Sequence, residues 1–403
     1  MARSISVRMY NVGFGDAFLV AIPAGDGVRR ILFDCGSIAA PEGRAMSDVV
    51  ERIVRDVTGA DGVPRIDVVV ATHRHRDHVS GFEAAVWANV QVSEVWLPWT
   101  EDPVDPAARE IRDIQSKLAL ALDAALKARP AAGEAADPGP AAIVGNALTN
   151  ERAMRTLHAG FAGNPVRRYL PTLDAAERTF TTSALPGVTI HVLGPSRDKE
   201  VIRDMTPPKG ESYLRMKAAG AGAGNGKPKP PFDHQLIARG PPALSDEERA
   251  KIRSAGSLAD LDVAVALDQA VNGTSLMLIL EVAGTHLLFP GDAQWGTWAS
   301  VLKDPRWVDL LRKVEFYKIG HHGSHNATPK DFVEGILREN AWAMASTIER
   351  PQWARIPKPE LLEALAQKHA HLARSDKDQA PPTSEGGFQI EAGVVVEARI
   401  PIG

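Results

Sequence analysis

A short run of the sequence, His73-x-His75-x-Asp77-His78, places four side chains that can bind metal ions within six positions. The run directly follows residues 66–71, an apolar stretch with the length and composition of a buried strand. Because side chains at i and i+2 of an extended chain point to the same side, His73 and His75 could share one metal ion. Asp77 and His78 follow where the chain turns, and imidazole and carboxylate are both ligands that zinc accepts. The pattern predicts two adjacent metal sites in a loop at the end of a strand.

Two later segments also place ligand-type side chains directly after apolar, strand-like stretches. Gly291-Asp292 follows residues 287–290, and the motif GHHGSH at 320–325 follows residues 314–319. A glycine beside such a side chain lets the backbone approach closely. Asp292 alone would be weak evidence, but three loops of this kind in one chain indicate one shared site.

Cysteine cannot supply the metal ligands, because Cys35 is the only cysteine in the 403 residues. A composition of 44% hydrophobic and 24% charged residues is typical of a globular protein. The formal net charge of −4 argues against a broad positive surface for duplex DNA, although it is compatible with a local positive centre. The sequence shows no apolar leader and no uncharged run of about 18 residues, so we expect a cytoplasmic protein without a membrane partner.

The elements around these loops indicate an α/β chain of mixed order instead of a regular parallel alternation. Apolar or alternating runs predict strands at 4–10, 17–22, 30–34, 66–71, 92–97, 188–193, 275–282, 286–289, 314–319 and 342–346. Helical spacing predicts helices at 47–57, from Asp105-Pro106 to about residue 130, and at 150–161.

Two insertions interrupt what we interpret as one domain covering residues 1–403. The first, at about 103–165, is helical. The second, at about 201–260, is rich in Gly, Pro and basic residues and is expected to be flexible. It is either a solvated linker or a lid that meets an anionic substrate.

The blocks at 7–16, 31–36, 71–81, 272–292 and 318–324 resemble, in the same order, those of the metallo-β-lactamase fold superfamily. They are most similar to its ComEC-like branch, the hydrolase domain attached to the DNA-uptake channel, which typically has VGQGDA where this chain has VGFGDA. The resemblance implies an αββα sandwich, in which two mixed β-sheets pack face to face with helices outside and a dinuclear metal site lies along one edge. The two insertions fall outside the resemblance.

The same resemblance implies a ligand set. The first metal would be bound by His73 and His75, the second by Asp77, His78 and His322, and Asp292 would bridge the two. His321 would line the substrate pocket, although the sequence does not settle which of His321 and His322 is the ligand. Asp34 would support the loop through hydrogen bonds instead of binding metal. No segment resembles the one that gives many superfamily members a third histidine on the first metal; of His158 and His191 in that stretch, His191 is expected to be an ordinary sheet residue.

These expectations lead to a metal-dependent hydrolase in which a dinuclear site activates hydroxide, a phosphodiesterase or nuclease. Two divalent metal ions are expected, with zinc favoured and manganese as its competitor. Asp77 could take the nucleophile's proton, while His321, Ser324 or Lys318 could hold the phosphate or stabilise the leaving oxygen. The expected partner is a phosphodiester or nucleic-acid substrate, with a single strand favoured.

Other interpretations remain open at this point. The same centre could serve a small-molecule ester hydrolase of the phosphocholine esterase or lactonase type, or it could stabilise a noncatalytic interaction module. Trp295 and Trp298 could stack on bases or pack against the sheet. Thr274 and Ser275 could lie near the site or pair with the backbone. The natural substrate, endo or exo cleavage and the oligomeric state are left undetermined.

Overall fold

The computed structural model describes residues 3–25, 27–41, 43–131, 145–146, 150–173, 178–204, 207–208, 211–212, 270–324, 327–348, 356–377 and 387–402. His325 and most of the predicted insertion at 201–260 lie outside the described residues. The other predicted site residues lie within them.

Two β-sheets run through the described residues. Their strands are β1 Ser4–Tyr10, β2 Phe18–Ala24, β3 Gly27–Phe33, β4 Arg65–Val70, β5 Gln91–Pro98, β6 Val166–Leu170, β7 Thr179–Phe180, β8 Val188–Gly194, β9 Met277–Val282, β10 Thr285–Phe289, β11 Val314–Lys318, β12 Trp342–Ala345, β13 His371–Arg374, β14 Gln389–Glu391 and β15 Val395–Pro401. The first sheet has the order β14-β15-β1-β2-β3-β4-β5-β6, and the second β13-β12-β11-β10-β9-β8-β7. Helices lie at Met46–Val57, Arg76–Val79, Pro106–Ala131, Glu151–Arg155, Lys199–Arg203, Trp295–Lys303, Pro305–Leu311 and Pro359–Gln367.

The two sheets pack face to face over an apolar core. In β1, Ile5, Val7 and Met9 alternate with more exposed residues and are fully buried between the sheets. The rings of Phe33 and Phe289, one from each sheet, stack with centroids 3.9 Å apart. Burial of each such side chain stabilises the fold by roughly 1.5–3 kcal/mol.

Helices cover the outer faces of both sheets. Ile53 and Val57 of the helix Met46–Val57 are fully buried in the apolar layer over the first sheet. Over the second sheet, Trp298 is fully buried against Phe332, so it packs as a core residue and is not available to stack on a base. Layers of helix, sheet, sheet and helix form an α/β sandwich with mixed sheets, so the predicted αββα fold is confirmed.

Parallel strands bring several loops to one edge of the sandwich. Strands β3 to β6 are parallel neighbours in the first sheet, and β10 to β13 are parallel neighbours in the second. Parallel strands present their carboxyl ends at the same edge of a sheet. The loops after β4, β10 and β11, which carry the predicted ligands, therefore emerge together. A 2.8 Å hydrogen bond from the Leu276 amide to the Thr72 carbonyl joins the two sheets at this edge.

Most predicted elements are confirmed with small shifts of their ends, but β6, β7, β13, β14 and β15 were not predicted. In β6, VRRYL, two arginines occupy the centre of a strand at the sheet's edge, which conceals the apolar pattern. The predicted helix at 150–161 is α-helical over Glu151–Arg155 and continues as a wider π-helical turn at Thr156–Gly160. Among the described residues, no helix combines the length and apolar character needed to cross a membrane.

Candidate metal centre

The predicted metal-binding loop begins directly after β4, and a carboxylate from the neighbouring strand supports it. Asp34 follows β3 and accepts hydrogen bonds of 2.7 Å from both the amide and the hydroxyl of Thr72. Gly36 allows the two loops to touch, because a Cβ at this position would lie 2.5 Å from main-chain atoms of Arg76 and Val79. The prediction that Asp34 supports the loop through hydrogen bonds is confirmed.

His73 and His75 face each other, and both are almost completely buried. Nε2 of His73 lies 3.1 Å from Nδ1 of His75. Two nitrogens bound to one tetrahedral zinc ion lie roughly 3.3 Å apart, given zinc–nitrogen bonds of about 2.0–2.1 Å. Burial lowers the pKa of His75 to about 4 and holds the pKa of His73 well below its usual value. Both rings are therefore neutral at pH 7, with the separation that a shared ion requires.

Asp77, His78, Asp292 and His322 form a second buried group, the four-residue cluster, whose ligand atoms all lie within 4.8 Å of one another. Nε2 of His78 lies 3.2 Å from Oδ2 of Asp292. Nε2 of His322 lies 3.3 Å from Oδ2 of Asp77. The loops after β4, β10 and β11 thus bring together the side chains predicted for the second metal and for the bridge.

Hydrogen bonds behind the two imidazole rings determine which nitrogen faces the cluster. Nδ1 of His78 lies 2.8 Å from Oδ2 of Asp34. Nδ1 of His322 lies 2.8 Å from the main-chain carbonyl oxygen of Ser346, which can only accept, so this nitrogen donates. Both rings consequently present Nε2 to the carboxylates, and such outer partners are known to orient metal ligands.

The backbone of the GHHGS segment adopts an uncommon conformation. His321 and His322 have φ angles of 44° and 53°, in the left-handed region, which costs roughly 1–2 kcal/mol for each residue other than glycine. The two adjacent side chains diverge, because His322 is fully buried in the cluster whereas the side chain of His321 is 18% exposed. Nε2 of His321 lies 3.8 Å from Oδ2 of Asp292, and its Nδ1 lies 2.8 Å from Oγ of Ser324. His321 and Ser324 thus form a pair at the more exposed side of the cluster.

Neighbouring carboxylates raise the pKa of both histidines of the cluster. Burial lowers the pKa of His78, but the carboxylates around it, Asp292 foremost, outweigh burial and hold that pKa well above its usual value. Burial likewise lowers the pKa of His322, and its hydrogen bond with Asp77 raises the net pKa above the usual value. A metal ion that binds to His78 must therefore displace a proton.

A buried ion pair between Lys318 and Asp16 lies beside the cluster, with both side chains almost fully inaccessible. Nζ of Lys318 contacts Oδ2 of Asp16 and lies 3.6 Å from Oδ1 of Asp292. Burial lowers the pKa of Lys318, but the two carboxylates raise it above its usual value, so the ammonium stays charged. The suggestion that Lys318 holds a phosphate is therefore wrong, because its charge is engaged inside the protein. Asp16 was not predicted, although it belongs to the VGFGDA block of the resemblance.

The four-residue cluster fits a divalent metal ion. Its donors are imidazole nitrogens and carboxylate oxygens, the set that zinc and manganese accept. Oδ1 of Asp77 is buried and has no hydrogen-bond partner among the residues that the structure describes. An unpaired buried carboxylate oxygen is unfavourable, and a bound cation would relieve it.

Two buried asparagines outside the predicted site hold the metal-binding loop. Oδ1 of Asn146 accepts a hydrogen bond of 3.2 Å from the Asp77 amide. Nδ2 of Asn150 donates to the main-chain carbonyl of Arg74. Both act on the backbone, so no ligand-type spacing in the sequence marks them.

Three further residues considered in the sequence analysis, Ser275, Thr274 and His191, have structural roles outside the proposed ligand set. Oγ of Ser275 accepts a 3.2 Å hydrogen bond from the Asp292 amide, so this serine supports the loop after β10. The Thr274 hydroxyl donates to a main-chain carbonyl at 2.6 Å, in agreement with the interpretation that it pairs with the backbone. His191 lies on β8, with Nε2 3.0 Å from a glutamate oxygen of β9, and is an ordinary sheet residue as predicted.

No protein-family model matches the chain, and no curated protein matches its sequence. Among solved structures, it is similar to the Zn²⁺-bound PqqB from Methylobacterium extorquens, with 10% sequence identity and a TM-score of 0.36. That match covers 88% of this chain and 84% of PqqB. A likeness at this level carries no argument about activity, so the chemistry of the centre is argued from its own side chains.

Proposed function

We propose that the protein is a metal-dependent phosphodiesterase that cleaves nucleic acid, of the ComEC-like type that its sequence blocks resemble. The observation that carries the proposal is the buried four-residue cluster next to the facing pair His73 and His75. In this proposal, two divalent cations, with zinc favoured over manganese, bind at this centre. His73 and His75 hold the first, Asp77, His78 and His322 hold the second, and Asp292 bridges them.

Bound there, the two cations would supply a nucleophile from water at neutral pH and offset negative charge on the attacked group. The charges of the protein favour an anionic substrate. Four buried carboxylates, of Asp16, Asp34, Asp77 and Asp292, lie at the centre, and the buried ammonium of Lys318 offsets one of them. These groups together carry a net charge of −3, and two divalent cations carry +4. The loaded centre is therefore positive and attracts a phosphodiester more strongly than a neutral ester.

The chain's own side chains handle the protons and the phosphate. Asp77 is the group that takes the proton of the nucleophile, through the carboxylate oxygen that does not bind the cation. Burial lowers the pKa of His321, so its ring is neutral at pH 7. When the Ser324 hydroxyl donates to Nδ1 of His321, Nε2 carries the ring proton and can donate a hydrogen bond to a phosphate or leaving-group oxygen.

Elemental analysis and turnover together test this proposal. Protein purified without added metal should contain two divalent ions for each chain, and it should hydrolyse bis(p-nitrophenyl) phosphate and single-stranded DNA. Chelation should abolish both activities, and zinc or manganese should restore them. Asp292→Asn should lose metal and activity, whereas Asp309→Asn, an exposed control in the helix Pro305–Leu311, should lose neither.

Bound metal without phosphodiester hydrolysis would contradict the proposal. Turnover of p-nitrophenyl esters or lactones in its place would identify an ester hydrolase, and turnover of no substrate would identify a noncatalytic metal-stabilised module.

A further inference from the structure

A groove runs along the side of the sandwich where both sheets end. We call it the edge groove, a cavity of about 940 Å³ lined by β6, by Phe180 of β7, by Asp105 at the start of the helix Pro106–Ala131, and by Arg197 after β8. Strands β6 and β7 are the outermost strands of the first and second sheets at this side. The proposed phosphodiesterase chemistry assigns no role to this groove.

The groove opens at the same edge as the metal centre. The metal-binding loop follows β4, and the wall of the groove follows β5 and β6, the next two parallel strands. Neighbouring strands lie about 4.8 Å apart, so the mouth of the groove lies roughly 10 Å along the sheet from the loop. Nε of Arg74, within the metal-binding loop, lies 3.4 Å from Oε1 of Glu101, directly before the groove residue Asp102. A small ester cannot reach both places, whereas a polymer can.

Among the residues that the structure describes, one of the three arginines of the groove pairs with no carboxylate. Arg197 pairs with Asp105, and Arg168 pairs with the buried Glu94 through bonds of 2.7 and 3.2 Å. The half-buried Arg167 donates to main-chain carbonyls, at 2.7 Å for the nearer, and has no ion-pair partner among the described residues. A guanidinium group whose hydrogen-bond acceptors are uncharged main-chain carbonyls keeps its positive charge available, so it is well suited to bind a phosphate.

His158 lies close to residues of both the groove and the metal-binding loop. Burial lowers the pKa of His158, the Glu101 carboxylate raises it, and the charges of Arg112, Arg74 and Arg167 lower it further. Its Nδ1 lies 3.1 Å from the hydroxyl of Tyr169, a residue of the groove. Basic side chains from the loop, from the helix Pro106–Ala131 and from the groove therefore approach His158, with the Glu101 carboxylate among them.

The walls of the groove also offer apolar surface. Val166 and Leu173 are 56% and 83% exposed, and the ring of Phe180 lies under the Arg168 guanidinium at 5.5 Å. Aromatic rings and arginine planes bind bases with little dependence on sequence. We propose that the edge groove binds the part of a single-stranded nucleic acid that flanks the scissile phosphodiester, with Arg167 on the neighbouring phosphate. This inference rests on the proposed function.

The test compares a long and a short substrate on the same metal-loaded enzyme. The ratio of kcat/KM for a single-stranded oligonucleotide to kcat/KM for bis(p-nitrophenyl) phosphate should fall about tenfold in Arg167→Ala. The salt dependence of oligonucleotide binding should lose about one unit of slope. Arg312→Ala is the matched control, because this exposed arginine precedes β11 and lies at the opposite edge. It should keep the wild-type ratio.

A second variant guards against a folding defect in Arg167→Ala. Val166→Glu adds a negative charge at an exposed position of the groove and should lower the same ratio. Wild-type ratios in both variants would overturn the groove proposal while phosphodiester turnover stands. If wild-type protein hydrolyses neither substrate, the proposed function itself fails, and the two failures are thereby distinguished.

Discussion

The Nε2 atom of His322 lies 3.3 Å from Oδ2 of Asp77, although 245 residues separate the two in the chain. The left-handed backbone at this point turns His322 inward and leaves its neighbour His321 at the more exposed side. Two consecutive histidines thus have different surroundings, a difference that the GHHGS motif alone does not reveal. The geometry favours His322 as the ligand and His321 as the residue that meets the substrate.

This difference predicts separate effects of two alanine substitutions. His322→Ala should lower the metal content from two ions to about one for each chain, because it removes a nitrogen from the cluster. His321→Ala should keep both ions but reduce kcat by about 10²–10³-fold, the usual cost of removing one hydrogen-bond donor that stabilises the transition state. Elemental analysis and steady-state kinetics measure the two effects. Loss of metal in His321→Ala with full retention in His322→Ala would reverse the assignment.

Metal affinity should depend on pH through His78. Without metal, burial lowers the pKa of His78, but Asp292, Asp34 and Asp77 raise the net pKa well above its usual value, so the ring is protonated at pH 7. A metal ion must displace this proton, so affinity should rise with pH up to the raised pKa and level off above it. Zinc calorimetry in buffers of different ionisation enthalpy counts the protons released.

The Asp34→Asn variant provides the control for proton release. It removes one of the carboxylates that raise the pKa of His78, so fewer protons should be released on binding at pH 7. Affinity that is constant from pH 6 to 8, with no proton release in the wild type, would be incompatible with a protonated His78.

Asp16 and Lys318 should be strongly coupled in their effect on stability. Lys318→Met leaves a buried carboxylate without its partner and should lower the free energy of unfolding by about 3–5 kcal/mol. The double variant Asp16→Asn/Lys318→Met removes both charges and should recover part of that loss. Urea unfolding in the presence of chelator measures all four members of the cycle. Strict additivity of the two single effects would mean that the pair contributes no interaction energy.

Glu94 should make stability depend on pH in the acid range. Burial raises its pKa, but hydrogen bonds from Arg168, Thr182 and Trp96 outweigh burial and hold the pKa below the usual 4.5. Its contribution to stability is therefore fully present above pH 4.5 and is lost as the pH falls through the lower folded-state pKa. The difference in unfolding free energy between wild type and Glu94→Gln should shrink on acidification. A difference that grows below pH 4.5 would contradict the lowered pKa.

Local patterns were sufficient to predict the strands that precede the metal-binding loops. The apolar side chains of residues 66–71 predict β4, and the ligand-type residues that follow it are visible in the sequence. The clustering of Asp77 with His322 depends on the packing of two sheets, which no local pattern encodes. The resemblance to a known superfamily supplied that part of the prediction, and the α/β sandwich agrees with it.

The elements and partners that were missed act through long-range contacts or through the backbone. The sequence around strand β15 contains no distinctive pattern. The strand is defined by its pairing with β1, from Ser4 opposite Pro401 to Tyr10 opposite Val395. The Ser346 carbonyl orients His322, but every residue has such a carbonyl. Asp16 could have been found, because its carboxylate stands in a recognised block, yet only the folded chain reveals its lysine partner.

His78 and Asp292 lie 214 positions apart in the chain, so the ribosome adds them at different times. At about 5–20 residues per second, the ribosome adds Asp292 roughly 10–40 s after His78. For that interval the growing chain exposes His73, His75, Asp77 and His78 without the side chains that complete the centre. A metal captured then would hold a flexible segment in a geometry set by four ligands alone. We therefore expect correct loading to follow folding, when the second sheet has closed over the loop.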